Sequence, residues 1–220
     1  MTFETFHEEL DAIQVRLLTL AEHSVGMLTD GMQCLNSTDE ELANDVMDRK
    51  IRLSALHEEI EDRIMHIFVL YHPVAADLRR VVCYTVMNYS LYRVGGRAGK
   101  GLAKNVLTVK NGTQHVPMDN LMVMADMVVA MLADVITAFE TSSVIDPVSL
   151  GRRDDRVDAM QSGILRECLT YMMEDPPRMI PGGIECITAS RHLERCGGDH
   201  ACIMAEKITF MVEGTRVEIR

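Results

Sequence analysis

A seven-residue pattern that occurs twice constrains this chain more than any other feature of its sequence. Leu91–Arg97 reads Leu-Tyr-Arg-Val-Gly-Gly-Arg, and Leu193–Asp199 reads Leu-Glu-Arg-Cys-Gly-Gly-Asp. The Leu, the Arg and both Gly residues coincide without a gap. Because similarity at a fixed offset is the signature of a duplicated structural unit, the chain is predicted to contain the same fold twice.

The repeated unit is predicted to be a bundle of three helices. Apolar side chains recur at spacings of three and four residues, as in the stripe that begins with Leu10, Ile13 and Leu17. The chain has only 6 Pro, no Trp and 17 Met, a composition that favours helices over a β-sandwich or barrel. The predicted fold class is all-α, with two tandem three-helix bundles packed against each other.

The boundary between the two bundles is predicted at a polar segment that contains Gly and Pro, Asn111–Pro117. The first repeat then covers residues 1–112 and the second covers residues 113–220. The third helix of each repeat carries a Gly-Gly pair, which distorts an α-helix unless close packing or a bulge requires it.

The overall charge excludes one class of partner. The chain has 33 acidic and 22 basic residues, for a formal net charge of −11. So acidic a chain has no general attraction for nucleic-acid phosphates, and nucleic acid is not expected as a partner. The six cysteines form no Cys-x-x-Cys pair and the N-terminus does not resemble a targeting segment, so we expect reduced core cysteines in a cytoplasmic protein.

One segment, Leu121–Phe139, is almost entirely apolar. Asp126 and Asp134 interrupt it, and each carboxylate would cost about 2.5–3.5 kcal/mol at bilayer depth. The segment is therefore predicted to be a buried helix of the second bundle rather than a membrane span.

Acidic residues in the second repeat are candidate metal ligands. Asp154 and Asp158 are four residues apart, so both carboxylates lie on one face of the fifth helix. Glu194 and Asp199 form a second pair on the sixth helix. Two such pairs can make an all-oxygen site for a hard cation, or a multinuclear iron or zinc site with waters. The alternative is that these acids form a solvated face or pair with nearby arginines: Arg152, Arg153, Arg156 and Arg195.

Three segments of the chain resemble the PhoU family of phosphate-uptake regulators. His72–Arg79 (HPVAADLR) is similar to the start of that family's third helix, and Tyr171–Pro176 to the end of its fifth. Arg191–Ala201 resembles the family pattern "RhLERIGDHA". These segments occur in the family's order and spacing, so the resemblance covers nearly the whole chain.

The resemblance implies a function as well as a fold. PhoU proteins control phosphate uptake and phosphate signalling and are not known as catalysts. The expected partners are the ATPase subunit of a phosphate importer, a phosphate sensor protein, or both. The protein is also expected to form a homo-oligomer, namely a dimer. It is expected to contact the membrane only through its partners.

The resemblance also implies a metal site, because some PhoU proteins bind metal through acidic motifs. Asp154, Asp158, Glu194 and Asp199 occupy the matching positions of this chain. The expected cofactor is one or more divalent or trivalent ions, with iron, zinc and magnesium as candidates. The neighbouring residues Asp155 and His200 are candidates for an extra ligand or for a hydrogen-bond donor to a ligand.

The second repeat departs from the family pattern by one residue. The family spaces its acidic pair by four residues, whereas an extra Gly makes the step from Glu194 to Asp199 five. In a regular α-helix this step rotates by about 500°, which places the two carboxylates about 140° apart. A single π-type bulge at Gly197–Gly198 is predicted to absorb the extra residue and to restore a shared face.

The first repeat departs from the pattern in its charge. Where the family has acidic residues, the first repeat has Lys50, Ser54, Tyr92 and Arg97. Coulomb repulsion disfavours a cation beside two basic side chains, so one metal site is predicted, in the second repeat only. Lys50 and Arg97 are expected either to form internal charge pairs, which we favour, or to bind an anion.

Two other classes of function stay open at the level of sequence. A metal–carboxylate bundle of this kind can catalyse redox or hydrolytic reactions, although the sequence shows no nucleophile elbow, phosphate-binding Gly loop or dinucleotide fingerprint. The third class is a structural interaction module that has lost its metal. No catalytic residues are assigned.

Overall fold

The structure, a computed structural model, describes residues 3–104, 106 and 117–219. Within these ranges the chain is helical and contains no β-strand, which confirms the predicted all-α class. Each half contributes three long helices. In the first half these are α1 (Phe3–Ser37), α2 (Glu40–Tyr71) and α3 (Ala75–Arg97); in the second half they are α4 (Asp119–Thr141), α5 (Pro147–Glu174) and α6 (Pro176–Arg195).

A π-helix follows the third helix of each half. The first π segment is Ala98–Ala103, after α3, and the second is Cys196–Cys202, after α6. Helix α7 (Ile203–Glu213) follows the second π segment directly. The second π segment contains the Gly-Gly pair, so the predicted π-type bulge is confirmed. The sixth helix predicted from the sequence therefore consists of three consecutive parts in the structure: α6, the second π segment and α7.

Side-chain caps and proline fix where the helices begin. The Asp39 carboxylate accepts a hydrogen bond from the backbone N–H of Leu42 at 3.0 Å and starts α2. The carboxylate of Asp146 accepts one from the N–H of Val148 at 3.1 Å at the start of α5. Helix α6 begins at Pro176, because proline is well suited to the first turn of a helix.

The core is continuous across the two halves. The predicted stripe of α1 is fully buried, beginning with Leu10, Ile13 and Leu17. Tyr84 of α3 and Phe139 of α4 meet edge to face, with ring centroids 5.7 Å apart. All six cysteines are buried and none forms a disulfide, as predicted.

Helix α4 is the one described segment that is long and apolar enough to cross a membrane by length and composition. Of the 18 consecutive residues of this helix with the highest mean hydropathy, 44% are buried inside the protein. The helix packs against α1, α5 and α6, and its two interrupting aspartates are exposed. These contacts make α4 a packed helix of the bundle.

The predicted boundary between residues 112 and 113 lies outside the described residues, as does most of the linker Asn111–Pro117. The sequence pattern predicts a third helix that continues to about Leu107, a residue that also lies outside them. Within the described residues, α3 ends at Arg97, where the first π segment begins.

Candidate functional site

A cavity of about 700 Å³, here called the acidic cavity, lies in the second half of the chain and is open to solvent. Carboxylates from five elements of the chain line it. They belong to Asp154, Asp155 and Asp158 of α5, Glu194 of α6, Asp199 of the second π segment, Glu206 of α7 and Glu218 of the C-terminal segment. The structure therefore brings together the four predicted ligands and the neighbouring Asp155.

The π segment is what brings Glu194 and Asp199 to the same cavity. In a π-helix the backbone hydrogen bonds join residues five apart, so one turn holds an additional residue. The step from Glu194 to Asp199 crosses from α6 into this wider turn, and both side chains line the acidic cavity. The five-residue spacing thus does not separate the two carboxylates.

The surroundings of Glu194 in the acidic cavity raise the pKa of its carboxyl group. Burial raises the pKa of its carboxyl most, and the negative charges of Asp199 and Asp158 raise it further. Asp154 acts in the same direction, while Arg195 opposes it. A cation in the cavity would relieve this repulsion, because it favours the charged form of every carboxylate around it.

The two glycines of the second π segment allow close packing on both of its sides. A Cβ on Gly198 would lie 2.7 Å from Oδ1 of Asp154, well inside the normal contact distance. A Cβ on Gly197 would lie 3.2 Å from Cγ2 of Val128 on α4. Glycine at both positions therefore lets the π segment approach α4 and α5, and Asp154 rests directly against the backbone at Gly198.

Salt bridges with the neighbouring arginines do not account for the acidic cavity. None of the salt bridges within the described residues involves Asp155, Asp158, Glu194 or Asp199. The nearby Arg153 pairs instead with an aspartate of α4. Pairing with the neighbouring arginines is therefore not observed for these four carboxylates within the described residues.

The carboxylates surround the cavity without converging on one point. In the described part of the chain, no three Asp, Glu, His or Cys side chains lie close enough together to hold a metal ion directly. The donor set nevertheless has the oxygen chemistry that hard cations require. The metal site therefore stays a prediction.

His200 does not reach the acidic cavity. It lines a different, mainly apolar cavity of about 500 Å³ between the two halves, where its ring centroid lies 6.4 Å from that of Tyr89. Its position one residue after Asp199 turns the ring toward α3. Burial and the positive charge of Arg97 lower its pKa to about 4. The suggested role of His200 as an extra ligand therefore does not match its placement.

The corresponding place in the first half is a smaller cavity of about 210 Å³, here called the basic cavity. Three of the four substituted positions behave as the duplication predicts, because Lys50, Tyr92 and Arg97 all line it. No salt bridge within the described residues involves Lys50 or Arg97. The internal charge pairs favoured from the sequence are therefore not observed there.

Sequence reasoning missed the contribution of the C-terminal segment to the acidic cavity. The backbone N–H of Ile219 donates to Oε1 of Glu206 at 2.9 Å, which holds the segment against α7. Arg216 and Glu218 line the cavity from this segment. Helical periodicity ends with α7, so the pattern gave no signal for the position of the residues that follow.

Fold and site together define a duplicated three-helix-bundle protein with an acidic cavity in its second half. The PhoU domain family matches this chain at residues 17–101 and 121–208, one match in each half. Curated relatives match over nearly the full length. The "phosphate-specific transport system accessory protein PhoU homolog" of Caulobacter vibrioides is 32% identical over 217 residues, 97% of this chain and 92% of the relative.

A second curated relative and two solved structures similar to this chain are also PhoU proteins. The Escherichia coli strain K12 "phosphate-specific transport system accessory protein PhoU" is 30% identical, over 95% of this chain and 86% of the relative. The crystal structure of PhoU from Pseudomonas aeruginosa superposes with a TM-score of 0.88 at 28% identity, over 96% of this chain and all of that one. The Streptococcus pneumoniae structure, at 24% identity, shares the fold with a TM-score of 0.86, over 97% and 99% of the two chains. The chain belongs to the PhoU family.

Proposed function

We propose that this protein is an accessory regulator of phosphate uptake and phosphate signalling that acts through contacts with other proteins. The observation that carries the proposal is the match of both halves to relatives named as accessory proteins of the phosphate-specific transport system. Its partner is the ATPase subunit of a phosphate importer or a phosphate sensor protein. Binding shifts the conformational equilibrium of that partner, and the protein itself catalyses no reaction.

We propose that the regulator works in the cytoplasm, as a homodimer, and reaches the membrane only through its partners. An importer's ATPase subunit lies on the cytoplasmic side, so a protein that regulates it must be present there. Light scattering of the purified protein tests the oligomeric state, with twice the chain mass of 24.7 kDa expected. A mass of one chain at micromolar concentration would contradict the dimer.

An exposed apolar patch supports a role in protein contact. It lies at the end of α2 and in the turn that follows, and is here called the α2 patch. Its members are Met65, Val69, Leu70 and Val74, with exposed fractions of 56%, 64%, 48% and 72%. Met65 and Val69, four residues apart, share one face of α2, and neighbouring exposed apolar residues mark sites of protein interaction more often than scattered ones do.

Replacing Val69 with glutamate is expected to reduce recovery of the importer ATPase in a pull-down by about tenfold, because it places a charge within an apolar contact. Val15→Glu is the matched control, since Val15 is also 64% exposed and lies on α1 without an exposed apolar neighbour among that helix's described side chains. Equal recovery with both variants would exclude the α2 patch. Failure of the unaltered protein to recover the ATPase or the sensor, at low and at high phosphate, would contradict the proposed function.

We propose in addition that the acidic cavity binds one or more divalent or trivalent cations, with iron, zinc and magnesium as candidates. Asp154, Asp158, Glu194 and Asp199 would hold the ion, partly through waters, with Asp155 at the rim. The support is chemical: carboxylates from separate helices share one cavity, and burial, followed by repulsion from Asp199 and Asp158, raises the pKa of Glu194. The bound ion would supply positive charge that fixes α5, α6 and the second π segment relative to one another.

Elemental analysis of the untreated protein tests the metal site. At least one equivalent of metal per chain is expected, and Asp154→Asn is expected to lose it. Asp126→Asn is the matched control, because Asp126 is an exposed carboxylate of α4 that does not line the acidic cavity. Absence of metal, together with no binding of added iron, zinc or magnesium, would favour the metal-free interaction module. A catalytic activity that depends on Glu194 would favour the alternative function, a metal–carboxylate enzyme.

A further inference from the structure

The basic cavity of the first half concentrates positive charge without a matching carboxylate. Lys50 of α2 and Arg93 and Arg97 of α3 line it, and none of the three takes part in a salt bridge within the described residues. Every Asp and Glu other than Glu4 has a described side chain, and none of these forms a salt bridge with the three cations. In a chain with a net charge of −11, this lack of pairing is unexpected.

Arg97 shows the cost of this arrangement. Its Nε is buried and has no hydrogen-bond partner within the described residues, although a buried guanidinium N–H ordinarily has one. Burial lowers the pKa of Arg97 most, and the positive charges of Arg93 and Arg195 lower it further. Cys196 and Asp199 act in the opposite direction, but the pKa is lowered overall. An anion beside Arg97 would satisfy the donor and offset the repulsion.

The remaining lining of the basic cavity suits a small anion. The Tyr92 hydroxyl lies 3.5 Å from that of Ser54, and a hydroxyl can donate to an oxyanion. The imidazole of His192 reaches the cavity from α6, and its buried Nδ1 has no partner within the described residues. The volume of about 210 Å³ is below that of typical pockets for larger organic ligands.

Gly96 keeps the basic cavity open. It lines the cavity, and a Cβ placed on it would meet no atom within 4 Å. A side chain at this position would therefore project into free space rather than into the protein. The first half thus combines, at one place, hydrogen-bond donors, room for a ligand and cations that form no salt bridge with any described residue.

We propose that the basic cavity binds a free tetrahedral oxyanion of the phosphate class. The planar guanidinium of Arg97 would donate to two of its oxygens, as arginine does in phosphate sites. The Lys50 ammonium and the Tyr92 hydroxyl would complete the set of donors. The two halves would then hold ions of opposite charge at corresponding places, an anion in the first and a cation in the second.

Isothermal titration with inorganic phosphate tests this site. The full-length protein is titrated in a chelator, which removes metal from the acidic cavity, against a background of chloride at constant ionic strength. We expect saturable binding of one ion per chain with a Kd of about 1 mM or tighter. No saturation up to about 10 mM phosphate would overturn the proposal.

Two variants and a control locate the binding. Arg97→Gln is expected to weaken it by at least about tenfold, because it removes a charge-assisted donor. Gly96→Val retains every charge but fills the cavity, and is expected to abolish binding without loss of stability. Arg52→Gln, at an exposed cation of α2 that does not line the cavity, is expected to bind like the unaltered protein. Unchanged binding in both cavity variants, or equal weakening in the control, would overturn the proposal.

Discussion

Replacing Asp199 with arginine is expected to abolish cation binding by the second repeat. The substitution gives the second repeat the residue that the first repeat has at the corresponding position, Arg97. At an effective dielectric constant of about 20, removing one charge about 4 Å from a monovalent ion costs about 4 kcal/mol, or about a thousandfold in affinity. Reversing the charge, with a divalent ion, costs several times more.

The measurement is calorimetric titration of chelator-treated protein with zinc or magnesium. Asp126→Arg is the matched control, since it makes the same charge change at an exposed residue of α4 away from the acidic cavity. Glu194→Gln is expected to weaken binding to a smaller extent, because it removes one charge without reversal. If Asp199→Arg folds and binds the cation as the unaltered protein does, the cation lies elsewhere.

Replacing Gly95 with valine is expected to destabilise the protein by about 3 kcal/mol, whereas valine at Gly96 is expected to be nearly neutral. A Cβ on Gly95 would lie 2.6 Å from Cδ2 of Leu53 and 3.2 Å from the backbone Cα of Ser24. Both neighbours are buried, and the backbone of α1 cannot move without disturbing the core. The same atom on Gly96 meets open space.

Thermal unfolding followed by circular dichroism measures the difference. For a chain of this size, about 3 kcal/mol corresponds to a decrease of about 6–12 °C in Tm. Gly95→Ala is expected to show a smaller decrease, which separates the steric cost from the effect of β-branching. Equal melting temperatures for the two valine variants would mean that α3 does not approach α1 as closely as the structure describes.

The sequence predicted the architecture well, because helical periodicity and duplication are both properties of local pattern. The stripe that begins at Leu10 and the repeated Gly-Gly motif were enough to predict two three-helix units. The additional residue between Glu194 and Asp199 even predicted the π segment, because only a wider turn keeps both carboxylates on one face. These features depend on spacing along the chain, which the sequence gives directly.

Features that depend on the packing of separate helices could not be predicted from the sequence. The position of His200 depends on which side of the π turn faces α3, and no spacing rule fixes it. Similarly, the sequence analysis favours internal charge pairs for Lys50 and Arg97, yet no carboxylate lies within salt-bridge distance of either in the described residues. The four predicted ligands line one cavity, as expected. How closely their carboxylates approach a common point depends on the placement of each side chain, which the sequence does not specify.

The most direct test of this account is anomalous diffraction from crystals of the full-length protein grown with zinc or iron. The account predicts an anomalous peak in the acidic cavity, surrounded by Asp154, Asp158, Glu194 and Asp199, and none in the basic cavity. A peak beside Lys50 and Arg97, or an acidic cavity without any peak at saturating metal, would contradict it.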